Sequence, residues 1–129
     1  PKSTGRDEFH ADWLATHLDG TESPADVQNT LVELSAQALG MAIHEYCPDT
    51  DEIFLCGGGV HNTTLTNRLK TLLPGIPVKL TDDLGIGADW VEGAAFAWLA
   101  KRAMEGLPGN LPEVTGANGP RVLGAIHKS

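Results

Sequence analysis

Ile53-Phe54-Leu55-Cys56-Gly57-Gly58-Gly59-Val60-His61-Asn62 is the stretch on which the fold turns. Four apolar residues stand between the acids Asp51 and Glu52 and three consecutive glycines. A short continuous apolar run bounded by turn signals is the pattern of a buried strand, expected here to be parallel. The glycines end it. Asn62 or Thr63 can cap a following helix whose apolar face is Leu65, Leu69 and Leu72. Pro74-Gly75 stops that helix, and Pro77-Val78-Lys79-Leu80 reads as a second, weaker strand.

Upstream, Phe9, Trp13, Leu14 and Leu18 predict a short amphipathic helix ending near Gly20. Ser23 then caps a long helix, with Pro24 at its first position and Asp26 near the positive end of its dipole. Val27, Leu31, Leu34, Ala38 and Met41 fall on one face, predicting a single buried stripe down to Tyr46. Downstream, Asp89 opens a third helix packed through Val91, Ala94, Ala95, Trp98 and Arg102. Asp89 and Glu92 fit a capping box, the carboxylate of Glu92 reaching back to the cap. Trp13, Trp90 and Trp98 read as core. From Gly106 on, glycines and prolines exclude a regular helix, and Val122–Ile126 reads as a last strand. The order helix, strand, helix, strand, helix makes an α/β fold: a small parallel-strand sheet with flanking helices. A sheet that thin is expected to belong to a larger one.

Length and charge narrow the function. The chain has 129 residues, suited to one domain, and 17 acidic against nine basic residues give a net charge of -8. That balance argues against non-specific nucleic-acid binding, which depends on phosphate neutralisation. No apolar stretch has the length of a membrane helix, and no apolar segment follows Lys2–Arg6 as a secretory signal would. Cys47 and Cys56 make no disulfide framework, and His10, His17, His44 and His127 have no metal-ligand spacing. A cytoplasmic protein without a metal site of its own is expected. The chain begins at Pro1 without Met, which suggests a piece of something longer.

The chemistry points to the glycines. Glycine removes the side chain that keeps a ligand off the backbone, and a helix N-terminus favours phosphate or a polar heterocycle. Three glycines in a row cost more chain entropy than a plain turn requires, so Gly57, Gly58 and Gly59 are read as a ligand turn, with His61 and Asn62 beside it. Two alternatives stand. Gly57, Gly59 and Asn62 imitate a dinucleotide fingerprint with its third glycine replaced, and Asp82 lies where a ribose-binding acid is expected, as in an oxidoreductase fragment. In the other, the glycines only turn the chain of a non-enzymatic interaction module.

Several segments together resemble the C-terminal part of the anhydro-N-acetylmuramic acid kinases, a family with the actin/hexokinase/Hsp70 type of ATPase fold. They are Pro1–Arg6, Cys56–Asn62, Thr81-Asp82 with Gly85, Asp89–Glu92 with Ala95–Ala100, Val114–Ala117 and Val122–Gly124. Gly93 departs from the family, which more usually has Ala there. The resemblance implies that the chain, over residues 1–129, is the C-terminal ATPase-fold domain of a longer enzyme. That enzyme uses ATP and water to convert 1,6-anhydro-N-acetylmuramic acid to N-acetylmuramic acid 6-phosphate in peptidoglycan recycling. Gly57, Gly58, Gly59, His61 and Asn62 would then bind the nucleotide, and Glu92 would lie on the substrate side of the cleft. The phosphate loop, the catalytic base and most of the hold on Mg²⁺ are expected in a missing N-terminal half, so this piece alone is expected to be inactive. An apolar face left bare without that half could drive formation of a homodimer.

Overall fold

The computed structural model describes Gly5 and residues 7–127, so most of the Pro1–Arg6 segment lies outside the described residues. The chain divides into two compact units, one ending at Ala88 and the other beginning at Asp89.

The first unit holds α1 (Ala11–Ala15), α2 (Pro24–Tyr46), β1 (Ile53–Leu55), α3 (Thr63–Leu72) and β2 (Val78–Leu80). His10 caps α1, its ring Nδ1 accepting from the Trp13 N–H. Ser23 caps α2: its Oγ accepts from the Asp26 N–H at 3.2 Å and donates to the Asp26 carboxylate at 2.8 Å. The helix runs 23 residues and ends at Cys47, where Pro48 follows. β1 and β2 are parallel, with Ile53 opposite Val78, Phe54 opposite Lys79 and Leu55 opposite Leu80. Lys79 pairs with Glu52 and stands 5.7 Å from the centre of the Phe54 ring.

The core of this unit lies where α2 and α3 cover the two strands. Leu73 and Leu69 are almost wholly buried. With Leu39, Ile43, Ile53 and Val78 they surround a small apolar cavity of about 110 Å³.

The face that α2 buries is not the stripe of its larger apolar side chains. Its buried residues are Ala36 and Gly40, with Val32, Glu33 and Ile43 partly covered; Leu34 is 46 % exposed and Met41 66 %. α2 meets α3 through small residues, and a methyl added at Gly40 would stand 3.7 Å from Leu72 Cβ. Val27, Leu31 and Leu34 form a second apolar face that grooves against Trp13 and Leu14. A helix with apolar residues on two faces has two candidate stripes, and periodicity alone picked the one with the larger side chains.

The second unit holds α4 (Val91–Met104) and α5 (Pro112–Thr115). The capping box does not form: the N-cap is Trp90, preceded by a 3₁₀ turn over Ala88–Trp90, and no side chain hydrogen-bonds the cap. Ala94 and Ala95 are exposed, and the covered side is Val91, Leu99, Arg102 and Ala103. Trp90 and Trp98 are therefore surface residues, 73 % and 51 % exposed, while Trp13 is half-buried. Arg102 sits 5.4 Å from the Trp98 ring centre and donates from Nε to the Pro108 carbonyl at 2.9 Å.

Residues 122–126 are not a strand. The Gly109 N–H donates to the Arg121 carbonyl at 2.9 Å. The Asn110 carboxamide accepts from the Arg121 N–H and donates to the Gly119 carbonyl. One side chain thus supplies the partners a neighbouring strand would have supplied. A Cβ at Gly109 would come within 2.8 Å of Leu99 Cδ2, so a side chain there would push the Leu99 methyl aside. α5 is a single turn closed by Gly116 at φ 69°, the one piece of helix in a segment expected to have none.

Glu33 on α2 and Arg68 on α3 form a two-pronged ion pair, with Arg68 Nε at 2.6 Å and Nη2 at 2.8 Å from the carboxylate oxygens. Arg68, and behind it the Gln37 carboxamide, hold the Glu33 carboxyl at about 2 instead of 4.5. A carboxyl lowered on folding adds stability above its unfolded value and loses it as the pH falls through the folded one. The urea midpoint should therefore be higher for the native chain than for Glu33→Gln near neutral pH, the gap closing between pH 4.5 and about 2. A gap that persists undiminished at the acid end would exclude the ion pair as its source.

Candidate functional site

In a parallel sheet, ligands collect outside the carboxyl ends of the strands, where the chain leaves for the next helix. Here those ends carry the Gly57–Asn62 bend after β1 and the Thr81–Leu84 turn after β2. The pairing of Leu55 with Leu80 brings Cys56 and Gly57 alongside Thr81.

Gly57 has φ 78° and ψ 176°, a conformation essentially restricted to glycine. Its N–H is already used, donating to the Ala88 carbonyl at 2.9 Å. Gly58–His61 then form a turn of 3₁₀ helix, with the Val60 N–H on the Gly57 carbonyl and the Asn62 N–H on the Gly59 carbonyl. Asn62 caps α3, its Oδ1 accepting from the Leu65 N–H at 3.1 Å. The bend therefore offers fewer bare amides than a row of glycines suggests. Within the bend, the Gly58 and Gly59 N–H groups donate to no acceptor among the described residues.

Gly58 and Gly59 are exposed and keep negative φ. A Cβ built at Gly58 meets nothing within 4 Å, and one at Gly59 meets only Leu65 Cδ2 at 4.0 Å. Neither backbone strain nor packing inside the chain calls for glycine at these two positions. What a side chain would fill is the open space in front of the bend.

Asp82 does something other than the ribose contact weighed for it. Its Oδ2 accepts from the Ala88 N–H at 3.0 Å, closing the loop over residues 82–88. Ala88 is buried, and its carbonyl is the acceptor for Gly57. Asp82 thereby positions the bend through the backbone of one residue. Composition had not singled out Thr81, which is 9 % exposed with its Oγ1 buried and without a hydrogen-bond partner. The Thr81-Asp82 pair after a strand was the available signal, but burial of the hydroxyl is a tertiary fact. His61 lies exposed in the bend. Glu92 is exposed in the first turn of α4, in the other unit.

A family model described as anhydro-N-acetylmuramic acid kinase matches residues 1–129, the whole chain. The chain belongs to that family. An anhydro-N-acetylmuramic acid kinase of Nitrosomonas europaea is 54 % identical over 127 residues, covering 98 % of this chain and 35 % of the relative. Proteins of the same name from Chromohalobacter salexigens and Pseudomonas paraeruginosa are each 50 % identical, over 131 and 129 residues, with the same coverage. The chain thus spans about a third of the length of the curated anhydro-N-acetylmuramic acid kinases it matches. Membership in this kinase family leaves the oxidoreductase reading of the glycines without support.

The two glycine types separate by experiment. Gly57→Ala forces a side chain into a glycine-only conformation and should destabilise by about 1–3 kcal/mol. Gly58→Ala meets no atom and should leave the urea midpoint within about 0.5 kcal/mol of the native chain. Equal losses at both positions would show that the bend is covered in solution.

Proposed function

We propose that this chain supplies the adenosine-binding part of a kinase that uses ATP and water to open the anhydro ring of 1,6-anhydro-N-acetylmuramic acid. Water adds at the anomeric carbon as its bond to the bridging oxygen breaks, and that oxygen, left on carbon 6, takes the γ-phosphoryl group. The products are N-acetylmuramic acid 6-phosphate and ADP, a step of peptidoglycan recycling carried out in the cytoplasm. The observation that carries the nucleotide reading is the bare space at Gly58 and Gly59, glycines that the fold itself does not need.

In this reading the nucleoside lies against the Gly58-Gly59 backbone, with His61 and Asn62 flanking it. Asp82 and Ala88 hold the bend still, so the surface is ready before the ligand arrives. Glu92 is assigned to the sugar side, since its exposure and its freedom from the capping box leave it available. Among the described residues no three His, Cys, Asp or Glu side chains are grouped to hold a metal ion. The hold on Mg²⁺ is assigned mainly to the remainder of the enzyme, with the nucleotide phosphates, and no step is routed through the ion on this chain. Among the described residues no helix is long and apolar enough to cross a membrane.

We read the chain as the C-terminal part of the longer enzyme, on the order of its resembling segments, with the attacking water's base in the remainder. In the parent reading frame most of the coding length should then lie upstream of Pro1; most of it downstream would overturn that placement.

The functional test uses the full-length protein. It should phosphorylate the anhydro sugar with ATP, while Gly58→Val should lose ATP binding by at least about tenfold and keep its fold by circular dichroism. A Gly58→Val enzyme with native affinity for ATP would refute the nucleotide reading.

A further inference from the structure

Next to the bend, an open surface recess of about 250 Å³ lies between α2 and the start of α3, lined by Gln28, Asn29, Val32, Asn62 and Thr64. Four of these five side chains are polar and none is charged. That sets it apart from the groove along α1 and α2, whose walls are Phe9, Trp13, Leu14 and Leu34. Asn62 is shared: it ends the glycine bend and forms part of the recess wall. Among the described residues, the Gln28 and Asn29 carboxamides make no hydrogen bond within the chain, and both residues are exposed.

This lining selects a kind of ligand group. A phosphate or carboxylate would find no counter-charge here. A neutral ring with its own donors and acceptors would find both, because a carboxamide carries an acceptor oxygen and a donor nitrogen side by side. That pairing matches the amino and ring-nitrogen edge of adenine, whereas the corresponding edge of guanine presents two acceptors. Val32 adds apolar surface for a ring face. The recess is smaller than the roughly 300–1,000 Å³ of sites that enclose a whole ligand, so it suits one ring of a larger molecule. The rest of that molecule would leave past Asn62 and across Gly58 and Gly59.

We propose that Gln28 and Asn29, on the first turns of α2, are specificity-determining residues that read the adenine base of the nucleotide. This rests on the nucleotide reading above and adds to it the base and the residues that choose it. Asn62, its oxygen committed to the α3 cap, fixes where the recess meets the bend.

The test is calorimetric titration of the full-length enzyme with ATP, GTP and inosine triphosphate, which lacks the amino group of adenine. The native protein should prefer ATP to both. Gln28→Ala and Asn29→Ala should each weaken ATP about tenfold and flatten the preference, with unchanged melting temperature and unchanged KM for the sugar. Asn29→Asp, of the same shape but without the amide donors, should behave like Asn29→Ala. ATP affinity and preference that stay native in these variants would overturn the assignment while leaving the nucleotide reading intact. A shift in the sugar KM without a change for ATP would overturn it by making the recess a sugar subsite. A native enzyme that binds none of the three nucleotides would remove the nucleotide reading and this inference together.

Discussion

The backbone of Ala88 is the tie on which the candidate site depends. Its N–H donates to the Asp82 carboxylate and its carbonyl accepts from Gly57, so one buried residue ties the end of β2 to the end of β1. Without that tie the glycine bend would have only a three-residue strand pairing behind it, and a run of three glycines has the largest conformational freedom to lose. A carboxylate accepting from a backbone amide makes a stronger bond than a neutral pair does, which suits a loop that must not move. The bend is built to be still, and the space in front of it is left open.

The fold around that tie is sparing. Two strands of three residues carry the sheet, and two helices cover it through small and branched aliphatic side chains. Ala36 and Gly40 let α2 come close to α3, and the Glu33–Arg68 pair locks the register between them. The pair is partly solvated, so its part is more to align the helices than to hold the unit together. Much apolar surface remains uncovered, including Leu34 and Met41 on α2 and Phe96 and Met104 on α4. That accords with a chain spanning about a third of its relatives' length.

Family membership and site geometry carry different loads. The match over residues 1–129 gives the family, but says nothing of which atoms meet a ligand. The geometry separates a glycine that the backbone needs, Gly57 for its dihedral, from Gly58 and Gly59, which it does not need. It also removes one of the amides expected to greet the ligand, since the Gly57 N–H is spent on Ala88. In the proposed reading, a nucleoside would be recognised by surface and shape as much as by free backbone donors.

Local chemistry was legible in the residues. Ser23-Pro24, Cys47-Pro48, the glycine run, Asn62 and Pro74-Gly75 fix helix and strand ends through capping, ring geometry and dihedral freedom, all of which act within a few positions of chain. The parallel pair and the turn between strand and helix followed from them. Which face of α2 is buried, whether Asp89 caps α4, and whether Val122–Ile126 finds a strand partner were not legible. Each depends on a neighbour distant in sequence: Leu72 against Gly40, a 3₁₀ turn in place of the cap, the Asn110 carboxamide in place of a strand. The role of Asp82 belongs with these, because a side chain near a strand end serves a ligand or its own loop according to where the backbone six residues on returns. Periodicity and propensity speak for single segments; only the packed chain decides which of two apolar faces, or which of two acceptors, is used.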